Sequence, residues 1–546
     1  MSALSQPHDS TPVRPIRVCH IIATTELLYW PVNQLSRLRD DYGYEVAAIV
    51  SGPEGALVDR LREAGIPCHV ADLDFPMVPP LPDAIRKTVA LAELLRRERF
   101  DVVQTATWHA MLLGRVAAWL ADVPVRLTMT IGPYYVDGPI HRWIDGDTSW
   151  MESFVIGCCQ YIVDSYRKLG IGKHRLELVY YGPDESRFTP ETTVPSNIRE
   201  QYGWPSDTPL IVHVSWFYPR LPVTRWAPKH LRGKGFKGHE QLIRSAPMIL
   251  REFPNARILL VGQAFPWGGE HFQDEMKALV QELGLEQRVI FTGFLPTVND
   301  VLMAADVAVQ PSTCEGCGGT FESLLMEAPT VGSRTGGIPD MVIDGKTGVL
   351  VTPDDPTDLA RGICDLLRDP ARARALGKAG RQHVLRTATL SKTAADLDRL
   401  YRQWLFKGGR RKMGHRPWVT RLRYPGMVLT WLYINTRLER IEFGLIRKWM
   451  AGWRPWHEIY TPHVRQAAAS AATASLHARD AVSASTLPVR LFASSWIGRF
   501  RRGEVRMNKP TLRLLALDLI AMQPPKLRTF MYESIARYRG ATRDRG

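Results

Sequence analysis

The sequence predicts an α/β protein of two doubly wound parallel-sheet domains in series, followed by a basic, mainly helical extension. Three observations carry that expectation. Short apolar runs alternate with amphipathic helical segments twice over, prolines punctuate the chain between the two series, and positive charge is concentrated after residue 406. A chain of 546 residues exceeds one ordinary core, and 45% hydrophobic with 23% charged residues is the balance of a folded protein rather than a disordered one.

The polar residues 1–14 are expected to form a flexible N-terminus. A first domain spans 15–192. Its apolar runs at 16–23, 45–50, 67–70, 100–104, 125–129 and 161–163 read as strands, with helical spacing over 32–41 and 56–64. Strands alternating with helical segments imply parallel pairing through crossover helices. Thr189-Pro190, Val194-Pro195 and Trp204-Pro205-Ser206 then break the pattern, which restarts in a second domain, 193–406. Its strands are expected at 210–215, 256–262, 289–293, 307–310, 330–333 and 348–351, with a helix over 390–406 closing the domain. Open α/β sheets bind ligands beyond the carboxyl ends of their strands, so two facing domains put the function in the cleft between them.

Charge separates the body from the tail. Residues 407–546 hold 27 Lys and Arg against 8 Asp and Glu, leaving 43 against 47 for the rest. An acidic body with a basic, Trp-bearing tail argues against nucleic acid as partner and for an anionic membrane surface or another acidic partner. The apolar stretch 427–434 is flanked by Arg421, Arg423, Arg437 and Arg440. Leu491, Phe492, Trp496, Ile497 and Phe500 share a predicted helix with Arg490, Arg499, Arg501 and Arg502. That composition suits a helix lying in a membrane interface, and it equally suits a helical cap packed on the body. An Ala/Ser-rich piece covers 466–486. No window reaches the roughly 18–20 apolar residues of a membrane span, and the run 16–23, broken by Arg17 and His20, lacks the marks of a signal peptide. Seven scattered cysteines are unlike a disulfide framework, so a cytoplasmic protein, with peripheral contact at the inner face of the membrane, is expected.

The chemistry is concentrated in 307–337, VAVQPSTCEGCGGTFESLLMEAPTVGSRTGG. An apolar strand runs into a loop with Gly316, Gly318 and Gly319, and a helix opening at Thr320 follows. Glycines there let backbone N–H groups approach a ligand, and a helix amino terminus favours an anion. Taken alone this is also the shape of an ordinary tight turn. Glu315 in the loop and Glu322 in the first helical turn add two carboxylates that suit paired hydrogen bonds to vicinal hydroxyls of a sugar or ribose. Cys314 and Cys317 have Cys-x-x-Cys spacing but no second pair at metal distance, and Cys158 and Cys159 read as buried thiols on a helix.

The segment resembles the signature of the retaining GT-B-fold glycosyltransferases, the group 1 family. Pro311-Ser312-Thr313-Cys314-Glu315-Gly316 matches the family's Pro-Ser-x-x-Glu-Gly. Gly336-Gly337-Ile338-Pro339 matches its downstream turn, and Asp344-Gly345-Lys346-Thr347-Gly348 its following strand entry. The resemblance implies a GT-B architecture over about residues 15–406, with an acceptor-side first domain and a second domain that binds the nucleoside-diphosphate sugar. In that scheme Glu322 holds the ribose and Glu315 contacts the donor sugar. Six residues separate Glu315 from Glu322, one fewer than the family's interval. Lys237-Gly238-His239-Glu240-Gln241-Leu242-Ile243 resembles the family's Lys-Gly-x-x-x-Leu-Ile. It implies that Lys237, with Arg232 five residues before it, clamps the diphosphate. The preceding strand lacks the family's Gly-Arg-Leu and leads into an insertion, 218–235, which makes Arg220 and Arg225 rivals of Arg232.

The first domain departs further from the family. Thr24-Thr25-Glu26 stands where a Gly-Gly turn is usual, and Thr130-Ile131-Gly132-Pro133 where a histidine often follows the strand. His109 is the nearest candidate to replace it, although a lone histidine at a helix start is more often structural, and Tyr134, Tyr135 and Asp137 are candidates to meet the acceptor. The resemblance thus implies a retaining glycosyltransferase that moves a sugar from a nucleoside diphosphate to a glycan or lipid-linked acceptor, with no metal and no resident cofactor. Polyprenyl-diphosphate-linked sugars and lipopolysaccharide precursors in cell-surface polysaccharide synthesis are the acceptors it suggests. A sugar-nucleotide 2-epimerase of the same fold and a non-catalytic sugar-nucleotide-binding subunit are the alternatives.

Overall fold

The computed structural model describes residues 14–74, 81–224, 227–266, 268–408 and 423–434. Within them two parallel sheets are formed. The first contains β1 (Arg17–Ile22), β2 (Glu45–Val50), β3 (Cys68–Val70), β4 (Val102–Ala106), β5 (Val125–Thr130), β6 (Phe154–Gly157) and β7 (Leu176–Leu178), ordered β3-β2-β1-β4-β5-β6-β7. The second contains β8 (Leu210–Val214), β9 (Arg257–Val261), β10 (Val289–Gly293), β11 (Val307–Gln310), β12 (Thr330–Ser333) and β13 (Val349–Val351), ordered β10-β9-β8-β11-β12-β13. Each order runs outward from its first strand and then reverses, which is the doubly wound arrangement with a switch point between β1 and β4 and between β8 and β11. Helices cover both faces, and strands buried on both faces read as near-continuous apolar runs. Val18, Cys19, Ile21 and Ile22 of β1 and Leu210, Ile211 and Val212 of β8 are fully buried or nearly so.

Two expectations are corrected. Residues 161–163 are not a strand but part of the helix Gln160–Lys168; the strand is the apolar run just before, β6. Ile162, Val163 and Tyr166 lie buried at helical spacing, and the helix starts where the Gln160 amide donates to the Asp340 carboxylate of the second domain at 2.7 Å. An acid at a helix amino terminus offsets its partial positive charge. Cys158 and Cys159 accordingly sit in the turn before that helix, both buried.

The closing helix, Leu390–Gly408, does not pack as the last element of the second domain. Leu397, Leu400 and Tyr401 complete the core of the first sheet, the Tyr401 hydroxyl donates to Gln104 Oε1 at 2.7 Å, and Trp404 stacks on Phe154. The chain therefore crosses back, and a further apolar cluster is shared by the domains. In it Cys158, Ile162 and Tyr166 meet Phe321, Leu324 and Ile338.

In the tail, of the two alternatives left open, the described helix takes the packed one. Residues 423–434 form a helix whose Met427, Trp431 and Ile434 are fully buried. Trp431 Nε1 donates to Thr88 Oγ1 at 2.8 Å, Arg423 pairs with Asp122 at 2.9 Å, and the Tyr433 hydroxyl donates to Asp147 at 2.7 Å. The apolar side of 427–434 is a cap on the first domain. The expected N-terminal segment up to residue 13, Arg225, the Ala/Ser-rich piece 466–486 and the helix around Trp496 lie outside the described residues. Among the described residues no helix is long and apolar enough to cross a membrane.

Candidate active site

The loop after β11 runs along the cleft at the carboxyl end of the second sheet. Glu315 is only 7% exposed. Its Oε2 pairs with Lys237 Nζ at 2.5 Å, and its Oε1 accepts from the Gly316 amide at 2.9 Å. Burial works against both charges, but each partner outweighs it. The Glu315 carboxyl is held below its usual range and the Lys237 ammonium above its own, so the two form an ion pair. Lys237 also lies over the rings of Tyr218 and Phe236, at 5.8 and 5.5 Å.

The sequence around the pair explains its precision. Gly238 has φ +81°, and a side chain there would strike the Pro311 carbonyl, so only glycine lets the Lys237 segment lie against the loop. The Phe236 carbonyl accepts from the Thr313 amide at 2.8 Å on one side of the loop. On the other side the Gly337 amide donates to the Glu315 carbonyl at 3.0 Å. The downstream Gly-Gly turn is thus a buttress for Glu315. Inside the shortened interval between the glutamates, Cys317 takes φ +131°, where a non-glycine residue costs about 1–3 kcal/mol. Its buried thiol is anchored to the Gly337 carbonyl at 3.0 Å.

The helix is Gly318–Leu325 and opens two residues before Thr320. Gly318 and Gly319 lie in its first turn, where amides have no intrahelical acceptor. Both are partly exposed and bear no side chain, so an anion can approach. Gly316 belongs to the wall rather than the cradle, because a side chain there would meet the Ile131 carbonyl and the Tyr181 hydroxyl. Thr320 faces inward: it is buried, and its amide donates to the Cys317 carbonyl at 3.0 Å. Glu322 lies in the second turn rather than the first and is half-buried. Burial pushes its carboxyl up to about 7, with the charge of Arg187 opposing and that of Glu315 adding.

Arg232 is half-buried and donates from Nε to the Ala227 carbonyl at 3.2 Å; among the described residues no carboxylate pairs with it. Its rival Arg220 is held by Glu240 at 2.9 Å and Glu275 at 2.5 Å, a structural role that leaves Arg232 the more available cation. His109 opens the helix Trp108–Leu120 in the first domain. Burial lowers its pKa, with the charge of Asp74 opposing and that of Lys87 adding.

Sequence reasoning missed several groups at this cleft. Trp216, Phe265 and the half-exposed Phe294 cluster beyond the ends of β8, β9 and β10, with ring centroids 6.0 and 6.3 Å from Trp216. Tyr218 lies beside Lys237; Asp340, which the sequence places at the end of the Gly336–Pro339 turn without a role, ties that turn to the first domain. The only available signal was aromatic residues just past predicted strands. Among the described residues no group of three or more His, Cys, Asp or Glu side chains could hold a metal ion, and all seven cysteines are free thiols.

Comparison with known proteins places these features. Residues 231–383 match the model for glycosyl transferases group 1, and residues 31–182 match the model for a glycosyl transferase 4-like domain. A GDP-mannose-dependent alpha-(1-6)-phosphatidylinositol monomannoside mannosyltransferase of Mycolicibacterium smegmatis is 33% identical over 222 residues, which cover 38% of this chain and 52% of that protein. A D-inositol 3-phosphate glycosyltransferase of Corynebacterium aurimucosum is 27% identical over 321 residues, 55% of this chain and 71% of that one. The chain thus spans about half the length of the first of these relatives. Among solved structures, Anabaena HepE in complex with UDP and glucose superposes with a TM-score of 0.59 at 18% identity, over 71% of this chain and 100% of that one. Sucrose-phosphate synthase of Thermosynechococcus elongatus gives 0.54 at 22% identity, over 72% and 99%. These likenesses establish the two-domain GT-B fold.

Proposed function

Because this chain belongs to the group 1 glycosyl transferases, we propose that it is a retaining glycosyltransferase. On this reading it moves a hexose from a nucleoside-diphosphate sugar to a hydroxyl of a glycan or lipid-linked acceptor, in cell-surface polysaccharide synthesis. The observation that carries the reading is the Lys237–Glu315 pair beside the first-turn amides of Gly318 and Gly319. Transfer of a glycosyl group leaves two negative phosphates behind, and an ammonium and helix amides already aimed at that charge stabilise the transition state without reorganising. Arg232 is a second cation for the diphosphate. Glu315 holds Lys237 in place and offers carboxylate oxygen to the sugar hydroxyls. Phe294 and Trp216 offer faces to the nucleobase. The free thiols suit a reducing, cytoplasmic compartment. The co-substrate is the sugar nucleotide, and no resident cofactor is needed.

Glu322 is assigned to the ribose. An ionised carboxylate accepts hydrogen bonds from both vicinal hydroxyls, whereas a protonated one has less accepting capacity. Donor affinity, measured by calorimetric titration, is therefore expected to rise with pH through about 7 and then level off, and Glu322→Gln is expected to weaken binding and flatten the dependence. Stability runs the other way. A carboxyl that folding holds neutral contributes stability that is full below its ordinary pKa of ~4.3 and is lost as pH rises through about 7.

The relatives' names make GDP-mannose the first donor to test. Incubation with GDP-mannose and UDP-glucose, monitored for released nucleoside diphosphate, is expected to show turnover with one of them. Tight donor binding without turnover would instead favour a non-catalytic binding subunit.

A further inference from the structure

The insertion 218–235 brings the second domain into polar contact with the first. It is pinned at both ends to its own domain: Arg220 bonds Glu240 and Glu275, and Lys234 pairs with Asp354. Between these anchors the short helical turn Lys229–Leu231 carries His230 to the Tyr134–Asp137 turn that follows β5. His230 Nε2 stands 3.8 Å from Asp137 Oδ2, while the Tyr161 hydroxyl donates to Asp137 Oδ1 at 2.6 Å. The Asp137 side chain is 13% exposed and that of His230 56%, so a recessed carboxylate faces an imidazole at the mouth.

That spacing is too long for a direct hydrogen bond. One intervening hydroxyl fits it, donating to the carboxylate and meeting the imidazole N–H with its own lone pair. Asp137 lies within electrostatic reach of the donor loop: its charge and that of Glu315 both raise the pKa of the buried thiol of Cys314, the residue before Glu315. On the turn that carries Asp137 and the helix after it, the rings of Tyr134, Tyr135 and His141 cluster, with centroids 5.6 to 6.2 Å apart. Burial opposes the Asp137 charge, whereas Tyr161 and then His230 support it.

We propose that Asp137 and His230 form the subsite for the acceptor hydroxyl. Asp137 accepts the hydrogen bond of the attacking hydroxyl of a polyol, and His230, delivered from the opposite domain, is the positioning residue that completes the bridge. This assignment rests on the glycosyltransferase reading. It also gives the insertion a purpose: the histidine absent from the end of β5 is replaced by one that reaches the acceptor side only with both domains in place.

The test uses the full chain, the turned-over donor of GDP-mannose and UDP-glucose, and octyl α-D-mannoside and myo-inositol as probe acceptors. Asp137→Asn and His230→Ala are each expected to raise the KM of the probe acceptor about tenfold or more while donor KM and hydrolysis of the donor by water stay within about twofold. His230→Gln, which keeps an N–H donor on an exposed side chain that folding does not need, is expected to recover part of the loss. Acceptor KM unchanged in both variants, or donor KM rising in parallel, would overturn the subsite. So would donor hydrolysis by the wild type with transfer to neither polyol. Release of nucleoside diphosphate from neither donor, even to water, would sink the glycosyltransferase reading itself and this assignment with it.

Discussion

Lys237→Ala is expected to lower kcat by about 10²–10³-fold with whichever donor is turned over, because on the proposed reading it removes a cation that offsets the charge of the leaving diphosphate. The same substitution leaves Glu315, 7% exposed, without its partner, and stranding one member of a buried pair costs about 3–5 kcal/mol of stability. A fall in both activity and melting temperature would not by itself separate catalysis from folding. The double variant Lys237→Ala with Glu315→Gln separates them. A glutamine keeps an oxygen for the Gly316 amide and carries no charge to strand, so stability is expected to recover toward the wild type. Turnover is expected to stay low, since neither new side chain can meet the diphosphate. Recovery of both by the double variant would reduce Lys237 to a structural partner of Glu315.

The two residues of the pair, though not their contact, were legible in the sequence because each lies in a local motif whose glycines and prolines constrain it. Although Lys237 and Glu315 lie 78 positions apart, β8 and β11 are adjacent in the second sheet, and the segments that follow them meet. Gly238, at φ +81° against the Pro311 carbonyl, is the point of closest approach that ties one motif to the other.

The strands of the second sheet were legible for a related reason. Runs such as Val307–Gln310, buried on both faces, carry an apolar signal that needs no partner to be read. The errors arose where partners decide. Tyr161-Ile162-Val163 is as apolar as a strand, and only the buried Tyr166 and the distant Asp340 make it a helix. The helix Leu390–Gly408 has the same amphipathic pattern whichever domain it covers, so its return to the first sheet could not be read locally. Asp137 and His230 lie in different domains, and the insertion that joins them has no repeating pattern to announce it.

Trp431→Ala is expected to cost about 3–5 kcal/mol of stability, seen as a lowered melting temperature or denaturation midpoint, because it empties a fully buried aromatic site on the first domain. The Thr88 hydroxyl keeps its bond to the Ala84 carbonyl at 2.7 Å, so the loss comes mainly from the cavity rather than from an orphaned polar group. The helix 423–434 cannot present Met427, Trp431 and Ile434 to the first domain and to lipid at once. Flotation with anionic vesicles is therefore expected to be unchanged by Trp431→Ala, whatever affinity the full chain shows. Loss of flotation with an unshifted melting temperature would mean that this face meets membrane instead. Its one arginine fits the packed arrangement, since Arg423 is engaged by Asp122 and the Trp119 ring at 5.2 Å rather than held out toward phosphate headgroups. Amphipathic composition alone, here as in any basic helix, specifies an apolar partner without saying whether that partner is protein or lipid.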